Sequence, residues 1–195
     1  MAGAAALSVL TEEEFFQGTL DHLLEASAAS ELPCLRKDFI VDELQLLEAR
    51  AYRADAVLLI AAALGQTELP ALYKRARELG LDALCEVHDE SELARVLDIG
   101  CDLIGVNSRN LRTFEVDLNT ALQLGPLIPP GVTRVAESGI QSGGDIARLL
   151  AAGYDAFLIG ESLMRASDSG AALKQLLAEA ARGSVPLSRN AKQES

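Results

Sequence analysis

The sequence predicts an α/β fold, an incomplete (β/α)8 barrel of about seven strand–helix units, and three observations lead there. Short apolar runs recur and each ends on a polar side chain: Pro33-Cys34-Leu35-Arg36-Lys37-Asp38-Phe39, Leu81-Asp82-Ala83-Leu84-Cys85-Glu86, Leu103-Ile104-Gly105-Val106-Asn107 and Val132-Thr133-Arg134-Val135-Ala136-Glu137. That is how a parallel strand reads when its interior is core and its carboxyl end opens on a site. Strand starts fall roughly every 20 to 30 residues, the period of a repeated strand–helix unit. Finally, the first strand is followed by Thr11-Glu12-Glu13-Glu14, which is acidic and lacks the glycine-rich phosphate loop of a doubly wound nucleotide fold. Working residues at several strand ends suit a barrel mouth better.

The elements follow in order. Ala4 to Leu10 reads as a strand, and Thr11 with Glu14 as a capping box opening a helix that Gly18 interrupts and Leu20, Leu23 and Leu24 resume. Ser30 and Pro33 introduce the strand that ends near Phe39. Asp42 caps a helix bearing Leu44, Leu46, Leu47 and Ala51, and Ala56 to Ile60 is the next strand. A helix from Thr67 to Leu79 stops at Gly80, and one from about Glu90 stops at Gly100. A short helix spans Leu118 to Leu124, Pro129-Pro130-Gly131 is a turn, and Ser142 opens a helix that Gly153 closes. Ala156 to Ile159 is the last strand. A helix from about Asp168 reaches Gly183, giving a single domain over 1–183 with a polar tail over 184–195.

Composition narrows the function classes. At 195 residues, 49% hydrophobic and 24% charged, the chain supports one well-buried globular domain. A net charge of −12 repels phosphate polymers and anionic lipid, so no nucleic-acid and no membrane partner is expected. No apolar run reaches the ~20 residues of a membrane span, and the start lacks signal-peptide features, which predicts a cytoplasmic protein. Three cysteines without C-x-x-C spacing suggest neither a disulfide framework nor a zinc site, and Cys34 and Cys85 read as buried strand residues.

Lys37 is the leading candidate for chemistry, because it closes the first of the repeated strand endings. Two glycine-bearing segments, Glu137-Ser138-Gly139-Ile140 and Ile159-Gly160-Glu161-Ser162, follow the last two strands, where barrels hold phosphate on backbone amides. Ser138, Gly139, Gly160 and Glu161 are thus the expected phosphate site, the glycines allowing close approach of backbone to oxygen. His88 and His22 read as polar surface residues and are assigned no role.

These segments carry a resemblance to the indole-3-glycerol phosphate synthase family. It rests on Ala4-Ala5-Ala6-Leu7-Ser8-Val9-Leu10-Thr11, Leu35-Arg36-Lys37-Asp38-Phe39-Ile40, Val57-Leu58-Leu59-Ile60, Cys85-Glu86-Val87-His88, Gly105-Val106-Asn107-Ser108-Arg109-Asn110-Leu111, Val135-Ala136-Glu137-Ser138-Gly139-Ile140 and Phe157-Leu158-Ile159-Gly160-Glu161-Ser162-Leu163-Met164. Lys-Asp-Phe with Asn-x-Arg-x-Leu is its most specific part; the Glu-Ser-Gly turn is shared with other phosphate-binding barrels. The resemblance implies a TIM-barrel fold and the closure of 1-(2-carboxyphenylamino)-1-deoxyribulose 5-phosphate to indole-3-glycerol phosphate, without cofactor or metal. By the family pattern Lys37 is the general acid, Glu86 the base or charge stabiliser and Asn107 a positioning hydrogen bonder. Glu137 would hold the ribulose hydroxyls, Arg109 would support the polar side, and Phe39, Leu58 and Leu111 would wall the anthranilate ring. The sequence departs from the family at its start, where a helical segment and a first strand with a Pro-Ser-Lys-type ending are absent. The expectation is an incomplete enzyme with its first barrel strand missing and open, self-associating sheet edges. Two alternatives stay open: a non-catalytic phosphosugar-binding fragment, or an assembly partner. A ribulose-phosphate isomerase relative is disfavoured, since it leaves Lys-Asp-Phe and Asn-Ser-Arg-Asn-Leu unexplained.

Overall fold

The computed structural model describes residues 2–183, so the tail expected over 184–195 lies outside the described residues. Seven parallel strands form one sheet in chain order: β1 (Leu7–Leu10), β2 (Cys34–Lys37), β3 (Ala56–Ile60), β4 (Asp82–Val87), β5 (Leu103–Asn107), β6 (Thr133–Glu137) and β7 (Ala156–Leu158). Helices alternate with them: α1 (Leu20–Ala29), α2 (Glu43–Ala51), α3 (Glu68–Glu78), α4 (Glu90–Asp98), α5 (Asn119–Leu124), α6 (Gly143–Ala151), α7 (Glu161–Met164) and α8 (Ser169–Gly183). The sheet curls as an incomplete β/α barrel, β1 pairing with β2 and β7 with β6 at its two ends.

Strand alternation divides the apolar residues into two layers. One set, including Val57, Leu59, Ala83, Cys85, Ile104, Val106 and Ala136, lies under the helices in the main core. The alternate set, Leu35, Leu58, Ile60, Leu84 and Val135, packs on the concave side. Lys37, Glu86, Asn107 and Glu137 continue that concave set at the carboxyl ends of β2, β4, β5 and β6, because each lies an even number of residues from an inner-layer position on its own strand or register partner. Cys34, Cys85 and Cys101 are buried free thiols.

Helix starts follow the expected caps. Asp42 and Gln45 form a capping box on α2, Asp89 caps α4, and Ser142 with Asp145 forms a capping box on α6. Gly80, Gly100 and Gly153 follow the ends of α3, α4 and α6 with φ of +71°, +74° and +93°, where a side chain would be strained.

Two expectations fail near the start. Thr11 opens no helix: it is buried, and its hydroxyl donates to Asp38 Oδ2 at 2.7 Å while accepting from Arg36 Nε at 3.2 Å. Glu12 instead accepts from the amides of Glu14, Phe15 and Phe16 in a single turn, and α1 starts only after Thr19, whose hydroxyl accepts from His22 N. Between them Gly18 packs on the end of β1, where a Cβ would sit 2.2 Å from the Leu10 carbonyl oxygen. The strand expected from Ala4 begins at Leu7, where the first ladder bond, Leu7 N to Pro33 O at 2.9 Å, becomes available.

Candidate active site

Four strand ends converge on one charged cluster. Lys37 Nζ lies 3.4 Å from Glu86 Oε2 and 3.4 Å from Glu137 Oε2. Glu86 and Glu137 are 2% and 1% exposed, whereas the Lys37 side chain remains 25% exposed, so Lys37 is the member that meets solvent. The placement of Glu137 depends on Gly105, its neighbour on β5: a Cβ there would come within 2.1 Å of Glu137 Oε1. That oxygen is buried without a hydrogen-bond partner among the described residues.

The two carboxyls divide their protonation. Burial pushes Glu137 up, the neighbouring Glu86 adds to the push, and Lys37 only partly offsets them, leaving its pKa raised to about 8. Burial opposes the Glu86 charge too. There, the contact with His88, the Lys37 ammonium and a hydrogen bond with Asn107 win, and the carboxylate is held below its ordinary range. For Lys37, desolvation would favour the neutral amine, but Glu137 and Glu86 outweigh it and raise the pKa. The environment therefore favours the charged forms of Lys37 and Glu86 and the neutral form of Glu137, pushing the pKa values of the two carboxyls apart as acid–base chemistry uses.

Asn107 ends β5 beside this group and accepts from the Arg109 amide at 2.9 Å through Oδ1. Arg109 extends away from the cluster to Glu161 Oε2, 2.9 Å, and Glu161 also pairs with Arg165. Glu161 thus carries an exposed carboxylate at the rim, paired with two arginines. After β6, Ser138 and Gly139 take φ of +63° and +77° in succession. The Ser162 hydroxyl donates to Ile140 O at 3.4 Å, tying this turn to α7, which Gly160 precedes.

The expected apolar wall separates into floor and rim. Leu58, 2% exposed, sits in the inner apolar layer, whereas Phe39 and Leu111 are 39% and 38% exposed at the mouth. Phe39 faces Phe16, ring centroids 6.2 Å apart and planes tilted by 30°. Phe16 carried no signal in the sequence, because its apparent place was inside a helix.

His88 corrects the surface reading given to it. Its side chain is 14% exposed, with Nε2 3.3 Å from Glu86 Oε1 and Nδ1 3.1 Å from Glu92 Oε2. Strand period would have found it, since positions 86 and 88 fall on the same side of an extended chain.

Known proteins agree with this architecture. The family model described as Indole-3-glycerol phosphate synthase matches residues 1–176. A relative of that name from Koribacter versatilis is 58% identical over 90% of this chain and 68% of its own length; those from Sulfurimonas denitrificans and Desulfotalea psychrophila are 53% and 50% identical over 90% and 89% of this chain, each covered to 67%. Among solved structures, one described as "Native KDPGal structure" superposes over 93% of this chain and 82% of its own with a TM-score of 0.65 at 14% identity, a likeness of fold alone. No helix among the described residues is long and apolar enough to cross a membrane. The chain spans about two thirds of the length of the curated relatives it matches, and it belongs to the indole-3-glycerol phosphate synthase family, carboxy-lyases of tryptophan biosynthesis.

Proposed function

We propose that the cluster of Lys37, Glu86, Asn107 and Glu137 closes the indole ring. The observation that carries this reading is the Lys37 ammonium held 3.4 Å from each of two buried carboxyls at the concave mouth. Lys37 gives its proton to the ketone oxygen as the aromatic carbon attacks the carbonyl carbon. Carbon dioxide then leaves and its bonding electrons return to the ring. The new hydroxyl departs as water while Glu86 accepts the proton lost from the adjacent carbon, and Lys37, 3.4 Å away, is the group through which protons exchange with the substrate oxygen. One proton is consumed overall, because a carboxylate leaves as neutral carbon dioxide.

Asn107 orients Glu86, and Glu137, largely neutral, donates to a ribulose hydroxyl. Phe39 and Leu111 at the rim and Leu58 beneath them hold the anthranilate ring, and Arg109 braces the polar side through Glu161. Phosphate binds at the turn of Ser138 and Gly139 and at Gly160 and Glu161, the left-handed turn turning its backbone toward an oxyanion. The family's phosphorylated small-molecule ligand supports that assignment, and no cofactor is required. The acidic composition supports a cytoplasmic protein without nucleic-acid or membrane partners, and the outer edges of β1 and β7, unpaired among the described residues, support self-association.

A second reading has its own support. Ser8 and Leu10, the β1 residues alternating with its core-facing ones, are exposed, so the chain as it stands would bind phosphosugar with little or no turnover, or act in an assembly. Incubation of the purified chain with 1-(2-carboxyphenylamino)-1-deoxyribulose 5-phosphate, followed by indole fluorescence, separates the two. Product formation abolished by Lys37→Ala supports the ring closure; binding seen by calorimetry without product supports the fragment; neither would discard the site.

A further inference from the structure

His88 stands outside the roles assigned above, yet it is built into the site from both sides. Its imidazole is gripped by α4: Glu92 Oε2 lies 3.1 Å from Nδ1 and also accepts from the backbone amide of His88 itself at 2.8 Å. Glu92 is fixed in turn, because its own amide donates to the capping Asp89 at 2.9 Å in the first turn of that helix. The ring so held places Nε2 3.3 Å from Glu86 Oε1, an ion-pair contact in which Nε2 makes no hydrogen bond. The opposite oxygen, Oε2, faces Lys37. Glu86 thus sits between two nitrogens, one on each oxygen.

We propose that His88 is a positioning residue for the ring closure, clamped by Glu92 so that it fixes the orientation of the Glu86 carboxylate and supplies a second cation against it. This rests on the reading of Glu86 as the proton acceptor. Its physical reason is the shared site: two buried carboxyls facing one Lys37 favour protonation of one of them, and the imidazole beside Glu86 adds to Lys37 and Asn107 in keeping the charge there. The charged groups bearing on the ring are Glu86 and the chain-adjacent Asp89, Glu92 on α4, and, through Glu86, Lys37 on β2 and Glu137 on β6. Arg95 on α4 is committed to the carbonyls of Ala61 and Leu64. Burial opposes a charged imidazole, but the carboxylates of Glu86, at ion-pair distance, and Glu92, at hydrogen-bond distance, raise His88 to about 9, which favours the imidazolium at neutral pH.

The test needs no turnover and so fails separately from the proposed function. Imidazole nitrogen NMR on the free chain gives two histidine signals, His88 and His22, which His88→Gln assigns. In the parent, His88 should stay protonated through pH 8. Glu92→Gln, which keeps the helix cap, should lower its midpoint by at least one pH unit, and carboxyl-carbon NMR of Glu86 should show its midpoint rising by at least one unit in His88→Gln. Where turnover is measured, His88→Gln should lower kcat tenfold or more with KM little changed and move the acid limb of the profile to higher pH. A neutral His88 at pH 7, or a Glu86 midpoint that His88→Gln leaves in place, would overturn the proposal.

Discussion

The inner strands and the outer strands of this sheet treat their concave residues in opposite ways. β4 and β6 bury Glu86 and Glu137 almost completely, whereas β1 leaves Ser8 and Leu10 exposed and β7 has only half-buried residues. An inner strand has a neighbour on each side that excludes water, and an outer strand has one. The difference teaches which half of the chemistry is self-contained. The cluster proposed to handle protons is assembled within β2 to β6, while the turn proposed for phosphate and the Phe16–Phe39 pair lie toward the outer strands.

The largest effect should come from breaking the inner cluster. Glu86→Gln and Lys37→Ala should each lower turnover about a hundredfold or more, the scale of a positioned acid or base, with Glu86→Gln also lowering the thermal midpoint at neutral pH, because it removes the partner of Lys37 and His88. Parental rates in both variants would remove these residues from the reaction. Next, Gly105→Ala should cost about 1–3 kcal/mol in denaturant unfolding, as an overpacked site does, and weaken ligand binding, because its Cβ takes the space of Glu137 Oε1. Unchanged binding would show that Glu137 has room to move.

A pH series sharpens the same contrast. An unfolded chain releases the Glu137 proton near the ordinary 4.5, whereas the folded chain keeps it to about 8; between those values the folded state binds more protons, and stability falls as pH rises. His88 acts in the same sense: the stability it gains from its partners is complete below 6.5 and lost as pH rises through about 9. Glu86 acts oppositely, its contribution being present above 4.5 and lost on acidification. The thermal midpoint should therefore decline from about pH 6 to pH 9, and Glu137→Gln should flatten the lower part of that decline. The smallest effect belongs to the edge: Phe15→Ser, at a side chain 73% exposed, should change unfolding free energy by less than about 0.5 kcal/mol.

Local signals made much of this legible from sequence. β3 and β5 fall at Ala56–Ile60 and Leu103–Asn107 as their apolar runs indicate, and the glycines at 80, 100 and 153 stop helices because only they accept positive φ cheaply. Lys37 and Glu86 were legible as polar strand endings. Their distance was not, since the partners of Lys37 lie 49 and 100 residues away and only the curl of the sheet joins them. Thr11 misled because a long-range partner captured its side chain: buried Arg36 needs acceptors, and Thr11 and Asp38 supply them. His88 reads as a polar surface residue by type alone, whereas strand alternation aligns it with Glu86.

The most direct test of the central claim is the protonation of the two inner carboxyls in the ligand-free chain. Carboxyl-carbon NMR from pH 3 to 10, with Glu86→Gln and Glu137→Gln to assign the signals, should show Glu86 ionised throughout the neutral range and Glu137 keeping its proton to about pH 8. Two glutamates titrating together near 4.5 would mean that water reaches both, and that the inner strands do not build the dry acid–base cluster on which the proposed ring closure depends.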